Sequence, residues 1–113
     1  MEEKEIVQYY VVNKNLPMST GKIAAQIAHG AVLTTILYQK EPDFKEWLET
    51  GQVKIILEAK EKELEKLEKS GFVSVHDAGR TEIPPNSLTV VALPPMKREE
   101  AKPWVKRFQL LKK

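Results

Sequence analysis

No cysteine occurs in the 113 residues, which excludes disulfide staples, thiolate nucleophiles and Cys-based zinc sites. Histidine is scarce as well: His29 and His76 are well separated, which argues against a His-rich metal site. The lack of cysteine suits a reducing compartment. An excess of charge of one sign is also missing, since 18 Lys and Arg face 16 Asp and Glu for a net charge of +2. That is too small to serve alone as a nucleic-acid signature, so any basic site must be local. No long hydrophobic run is present either. The longest apolar stretch, Ile23 to Leu37, is interrupted by Gln26 and His29, and the opening Met1-Glu2-Glu3-Lys4-Glu5 is acidic. Neither a membrane span nor a signal peptide is predicted, and a cytoplasmic location is expected. Two catalytic patterns are absent. None of Ser19, Ser70, Ser74 and Ser87 sits in a Gly-x-Ser-x-Gly elbow. Around Gly21-Lys22, Leu16 and Ile23 stand where a phosphate loop needs Gly and Ser or Thr, which disfavours nucleotide hydrolysis.

What is there is the length and apolar content of one globular domain, residues 1–113. Ile6 to Val12 is β-branched and aromatic and predicts a first strand, ended by Asn13-Lys14-Asn15-Leu16-Pro17. Ser19 or Thr20 caps a long helix running to about Gln39. Phe44, Trp47 and Leu48 mark a short amphipathic helix over Asp43 to Thr50. Strands are expected over Val53 to Leu57, Phe72 to Val75 and Ser87 to Leu93, with a charged surface helix over Lys60 to Ser70. The last segment, Met96 to Lys113, has a local balance of +5, and Pro103 is expected to divide it. Alternating strands and helices predict an α/β sandwich with a mixed sheet, helices on both faces, and an antiparallel third and fourth strand.

Two places concentrate chemistry. At 100° per residue Lys22, Gln26 and His29 fall at about 0°, 40° and 340°, a single polar stripe on a helix that is otherwise apolar or small. Such a helix is expected to be packed on most sides, where unpaired polar groups cost about 1 to 3 kcal/mol each. The stripe is therefore expected to open on a cleft. Taken singly, each residue also fits a structural role: Lys22 starting the helix, Gln26 capping a strand edge, His29 hydrogen-bonded in the core. The second place is Asp77-Ala78-Gly79-Arg80-Thr81, where a strand passes into a loop. Asp77 can orient an imidazole or polarise water, Gly79 lets the backbone bend, Arg80 can fork onto a phosphate and Thr81 offers a hydroxyl. The same five residues also fit a turn closed by Asp77 onto backbone. His76 reads as structural, and Trp47 and Trp104 as core or interface.

Met18-Ser19-Thr20-Gly21-Lys22-Ile23-Ala24-Ala25-Gln26-Ile27-Ala28-His29 followed by Asp77-Ala78-Gly79-Arg80-Thr81-Glu82-Ile83 resembles the type-2 peptidyl-tRNA hydrolases. Gly51-Gln52-x-Lys54-Ile55, Leu88-Thr89-Val90 and Leu110-Leu111-Lys112 are similar to the family pattern too, and the resemblance runs from Ile6 onward. It implies a three-layer α/β/α sandwich with a mixed four-stranded sheet. It implies an enzyme that hydrolyses the ester joining peptide to tRNA without a metal or organic cofactor, and a homodimer, for which Trp104 and Phe108 offer an apolar patch. The family's site residues carry over onto Lys22, Gln26, His29, Asp77 and Thr81. Asp77 and His29 are then expected to position and activate water, Lys22 with Thr81 to stabilise the oxyanion, and Gln26 to orient substrate or water. Lys14, Arg80 and the tail residues Lys97, Arg98, Lys106 and Arg107 are candidate phosphate contacts. The chain departs from the family pattern at Asn13, Asn15, Gly30, Asn86 and Leu93. Two rivals keep the scaffold: a noncatalytic RNA- or protein-binding module, and a hydrolase of another aminoacyl ester.

Overall fold

The β-branched run at the N-terminus becomes β1 (Ile6–Asn13), and every residue of it is buried. A strand covered on both faces has no alternating polar side, which is why its sequence reads as continuously apolar. The computed structural model describes residues 2–79 and 82–112. In chain order the further elements are α1 (Thr20–Tyr38), α2 (Pro42–Glu49), β2 (Lys54–Ala59), α3 (Glu61–Lys69), β3 (Val73–His76), β4 (Leu88–Ala92), β5 (Met96–Lys97), α4 (Arg98–Val105) and β6 (Gln109–Leu110). A short 3₁₀ turn, Glu2–Lys4, precedes β1.

The expected mixed sheet is present and slightly wider than four strands. Its order is β3-β4-β1-β2-β6, with β5 pairing separately onto β1. β1 and β2 are parallel, with Gln8 opposite Lys54 and Asn13 opposite Ala59. β4 is antiparallel to both β1 and β3, so β3 runs in the direction of β1. The added strands β5 and β6 are two residues each, too short to leave a period-2 signal in the sequence.

Side chains alternate through β1 and divide the core in two. Val7, Tyr9 and Val11 join Leu64 and Leu67 of α3 and Ala101 and Val105 of α4 on one face. Tyr10 and Val12 join Ile23 of α1 with Val73, Val75, Val90 and Ala92 on the other. A third cluster, Ile6, Phe44 and Trp47, seats α2, and the Trp47 indole N–H donates to the Val53 carbonyl at 2.8 Å.

Two expectations are corrected. Pro103 lies inside α4 and does not divide it. It costs the bond to the Glu99 carbonyl, but Ala101 and Val105 on either side are anchored in the core and hold the turn. The second correction concerns α1, which was expected to be packed on most sides. It buries one stripe, Ile23, Gln26, Gly30 and Thr34. Val32, Leu33, Ile36 and Leu37 are between 41% and 66% exposed on its outer face. Gly30 allows the close approach on the packed side, where a Cβ would stand 3.3 Å from that of Ala92.

Candidate active site

Because β1 and β3 run the same way, the turn leading into α1 and the loop leaving β3 open at the same edge of the sheet. Ser19 starts α1: its backbone is extended and its Oγ accepts the Lys22 N–H at 3.2 Å. The β3–β4 loop is tied to this cap, since Ser19 N–H and Oγ donate to the two carboxylate oxygens of Glu82, both at 2.9 Å. A carboxylate there also meets the positive end of the helix.

The two motifs separated in sequence converge at Asp77. Its Oδ1 accepts Lys22 Nζ at 2.6 Å and Gln26 Nε2 at 3.4 Å, and its Oδ2 accepts the Gly79 N–H at 2.6 Å. Asp77 is 5% exposed and Gln26 4%. Behind them the Thr89 hydroxyl donates to Gln26 Oε1 at 2.7 Å and lies 3.1 Å from the Val75 carbonyl. The chain is thus continuous from ammonium to carboxylate to amide to hydroxyl, and the described residues leave no buried side-chain polar atom without a hydrogen-bond partner. Gly79 has φ +80°, and a Cβ would fall 2.6 Å from Pro85, so the loop admits only glycine there.

The Lys22 ammonium holds the Asp77 carboxyl below the ordinary carboxylate range; burial opposes this, and the Gly79 and Ala78 N–H groups add to the lowering. A depressed folded value makes the carboxylate's contribution to stability present above the unfolded value and lost as pH falls through the folded one. An anion held by three donors is a poor proton acceptor at neutral pH. It is well suited to fixing the direction of a lysine.

His29 lies one helical turn beyond Gln26, roughly 4.5 Å along the axis, and is exposed. The stripe therefore runs from a buried amide to an open imidazole that faces solvent at the sheet edge. Arg80 and Thr81 lie outside the described residues.

The candidate phosphate contacts fall at two ends of the molecule. Lys14, directly after β1, is exposed and shares a cavity of about 180 Å³ with Lys60, Glu58, Glu63 and Arg107. Arg107 reaches Glu63 at 3.2 Å, and Lys106 is exposed beside it at the end of α4. Lys97 pairs with Ile6 at the start of β1, and the neighbouring Arg98 Nε donates to Glu5 Oε1 at 2.8 Å. The length of β1, roughly 20 Å or more, separates them from the Asp77 edge.

Sequence reasoning passed over Thr89 and Glu82 as contributors. Thr89 carried a signal, a hydroxyl in the otherwise apolar run Leu88 to Leu93. Glu82 stood within the second motif, but only the fold sets it against Ser19.

The family model described as "Peptidyl-tRNA hydrolase PTH2" matches residues 6–111. The chain belongs to this family. Among curated relatives, a peptidyl-tRNA hydrolase of Thermococcus onnurineus is 44% identical over 81% of this chain and 86% of its own length. That of Methanopyrus kandleri is 42% identical over 82% and 87%, and that of Methanococcus maripaludis is 34% identical over 92% and 97%. The departures from the peptidyl-tRNA hydrolase pattern are structural in this fold. Asn13 is buried, its Nδ2 donating to the Leu88 carbonyl at 2.9 Å and to Glu61 Oε1 at 3.0 Å. Asn15 Oδ1 accepts the Glu61 N–H at 2.8 Å and so caps α3 from outside the helix. Asn86 has φ +66°, the left-handed conformation that glycine and asparagine tolerate. Leu93 is fully buried in the core.

Proposed function

We propose that this member of the peptidyl-tRNA hydrolase family cleaves the ester between peptide and tRNA at the edge formed by Lys22, Gln26, His29 and Asp77, releasing free tRNA and peptide. The observation that carries the reading is the buried contact of Lys22 and Gln26 with Asp77, which joins the two motifs into one polar cluster beside the solvent-facing His29. Hydrolysis needs a deprotonated water, a stabilised oxyanion and a proton for the ribose oxygen. With its carboxylate committed to three donors, Asp77 orients the Lys22 ammonium toward the developing oxyanion, Thr81 assists, Gln26 holds substrate or water, and His29 accepts and returns the proton. Asp77 is then the anchor of the site, and the base is the imidazole that substrate can reach.

Lys14 is the phosphate contact best placed beside this edge, with Lys106 and Arg107 extending the path; Arg80 stays a candidate from its sequence motif alone. Lys97 and Arg98 bear on tRNA only if it wraps the far end. A cytoplasmic location and a single domain follow from the same reading. Among the described residues no helix is long and apolar enough to cross a membrane.

The exposed ridge Val32, Leu33, Ile36 and Leu37 favours a homodimer whose contact is α1 rather than the Trp104 and Phe108 patch. Trp104 already packs edge-on against Phe72 at 5.0 Å between centroids. An uncharged ridge suits a two-fold contact with a second copy, which needs no charge complement. Sedimentation equilibrium of Ile36→Glu against the unaltered chain tests this, with a monomer expected for the variant.

The activity itself is tested by release of free tRNA from an N-blocked peptidyl-tRNA in the presence of EDTA, beside Asp77→Ala. Turnover that survives chelation and is lost in the variant supports the reading. A folded protein that binds tRNA without turnover points to the noncatalytic module. Release from another aminoacyl ester but not from peptidyl-tRNA points to the third reading.

A further inference from the structure

Strand β3 ends in a residue that belongs neither to the core nor to the cluster around Asp77. His76 is exposed, yet both of its ring nitrogens meet an oxygen acceptor: Nε2 is 2.7 Å from Glu68 Oε2 on α3, and Nδ1 is 3.0 Å from the Asn86 carbonyl. A ring facing an acceptor at each nitrogen is satisfied on both sides only as the imidazolium, which carries two N–H donors. The Asn86 whose carbonyl it holds is the residue that closes the loop, because its N–H donates to the Asp77 carbonyl at 2.8 Å while the Asp77 N–H donates to Ser87 at 2.9 Å. Successive side chains at this strand end point opposite ways: His76 to the α3 layer, Asp77 to Lys22 and Gln26 on α1. The β3–β4 register also shifts between Val75 and His76. The ladder is irregular here, and past the shift two backbone bonds at Asp77 hold the strand end, to which the His76 side chain adds a third tie.

We propose that His76 is a positioning residue, a clamp that joins Glu68 of α3 to the Asn86 carbonyl and thereby fixes the reach of Asp77 to Lys22 and Gln26. This rests on the reading of the Lys22–Asp77 cluster as the reaction centre. Among the described residues the groups facing the ring are the Glu68 carboxylate from α3 and the Asn86 carbonyl from the loop; Asp77, its chain neighbour, is turned to the opposite face. The Asn86 carbonyl first, and then the Glu68 carboxylate, raise the imidazole above its usual 6.5, against a smaller opposing effect of burial. Because the folded value is raised, the clamp is complete at low pH and is lost as pH rises through that value. The Asp77 loop loosens on the alkaline side.

The test measures two quantities in the full chain across the titration of the His76 ring, which is followed by its own NMR shift: amide exchange protection at Asn86, and kcat with KM on peptidyl-tRNA. In the wild type, protection at Asn86 and kcat are expected to fall together as the ring deprotonates, with KM little changed. His76→Ala and Glu68→Gln are expected to show the loosened values at every pH, with kcat down by up to about tenfold, the scale of a small misplacement of a reacting group. Both positions are on the surface, and thermal unfolding confirms that the variants fold. Wild-type protection at Asn86 in both variants, or a wild-type kcat profile in His76→Ala, overturns the proposal. If the wild type releases no tRNA at all, the exchange measurement still decides the clamp, and it is the assigned activity that fails.

Discussion

Both ends of the sheet carry exposed ion pairs, Arg107–Glu63 and His76–Glu68 standing at the end where β1 and β3 finish, but among the described residues a buried pair is found at that end and not at the other. At the end where β1 begins, Lys102 Nζ meets Glu3 Oε2 and Arg98 Nε meets Glu5 Oε1, both at 2.8 Å, with side chains 33% to 59% exposed. At the end where β1 and β3 finish, Lys22 meets Asp77 at 2.6 Å with side chains 11% and 4% exposed. The larger cavity, about 350 Å³ and lined by Tyr38, Phe44, Pro94, Pro95 and Met96, belongs to the first end. The larger cavity thus lies away from the proposed site, and the buried charge lies in it. Exposed pairs trade solvent contacts for one another with little net gain, whereas a buried pair is kept only where hydrogen bonds from the fold complete it. Around Asp77 they do, through Gly79, Gln26 and Thr89.

The sharpest way to break this contrast is to remove one lysine at each end. Lys22→Ala is expected to lower kcat on peptidyl-tRNA by about 10² to 10³, the cost of one donor to an oxyanion, while Lys102→Ala leaves it unchanged. Equal losses would erase the distinction between the ends.

A smaller effect is expected one layer deeper. Thr89→Val leaves the buried Gln26 Oε1 without its donor, which should cost about 1 to 3 kcal/mol in denaturant unfolding and reduce kcat by loosening the amide that steadies Asp77. An unchanged midpoint and kcat would mean that Gln26 finds another partner and that the support behind the cluster is dispensable.

The finest distinction concerns tRNA. Lys14→Ala should flatten the plot of log affinity against log salt by about one unit, the share of one phosphate contact, and the double replacement of Lys97 and Arg98 by Ala should leave the slope as it was. The reverse result would place the backbone footprint at the far end.

Much of the fold was legible because the sequence states it locally. The apolar run at β1, the Ser19 cap and the charged helix α3 each follow from nearest-neighbour stereochemistry, and each lies where it was expected. The helical spacing of Lys22, Gln26 and His29 likewise placed three side chains on one side of α1. It could not say that one end of the stripe would be buried against Asp77 and the other left in water, because that depends on where β3 ends. The tail was the least legible part. Its basic residues look like a continuous strip in sequence, but β5 and the start of α4 hold Lys97 and Arg98 at one end of the sheet, while the end of α4 leads Arg107 toward Lys14 at the other.

By itself the sequence determined the order of the four longer strands and the first three helices, the residue types available for chemistry and the motifs that mark the family, since each is a property of short segments and their periodicity. Only the tertiary structure decided that β4 lies antiparallel against β1, so that β3 runs in the direction of β1. From that follow the meeting of Lys22 with Asp77 across 55 positions, the burial that makes the pair matter, the clamp at His76 and the bare outer face of α1. These are contacts between segments distant in the chain. No local rule encodes them, because their energies depend on what the sheet brings together and on how much water it excludes.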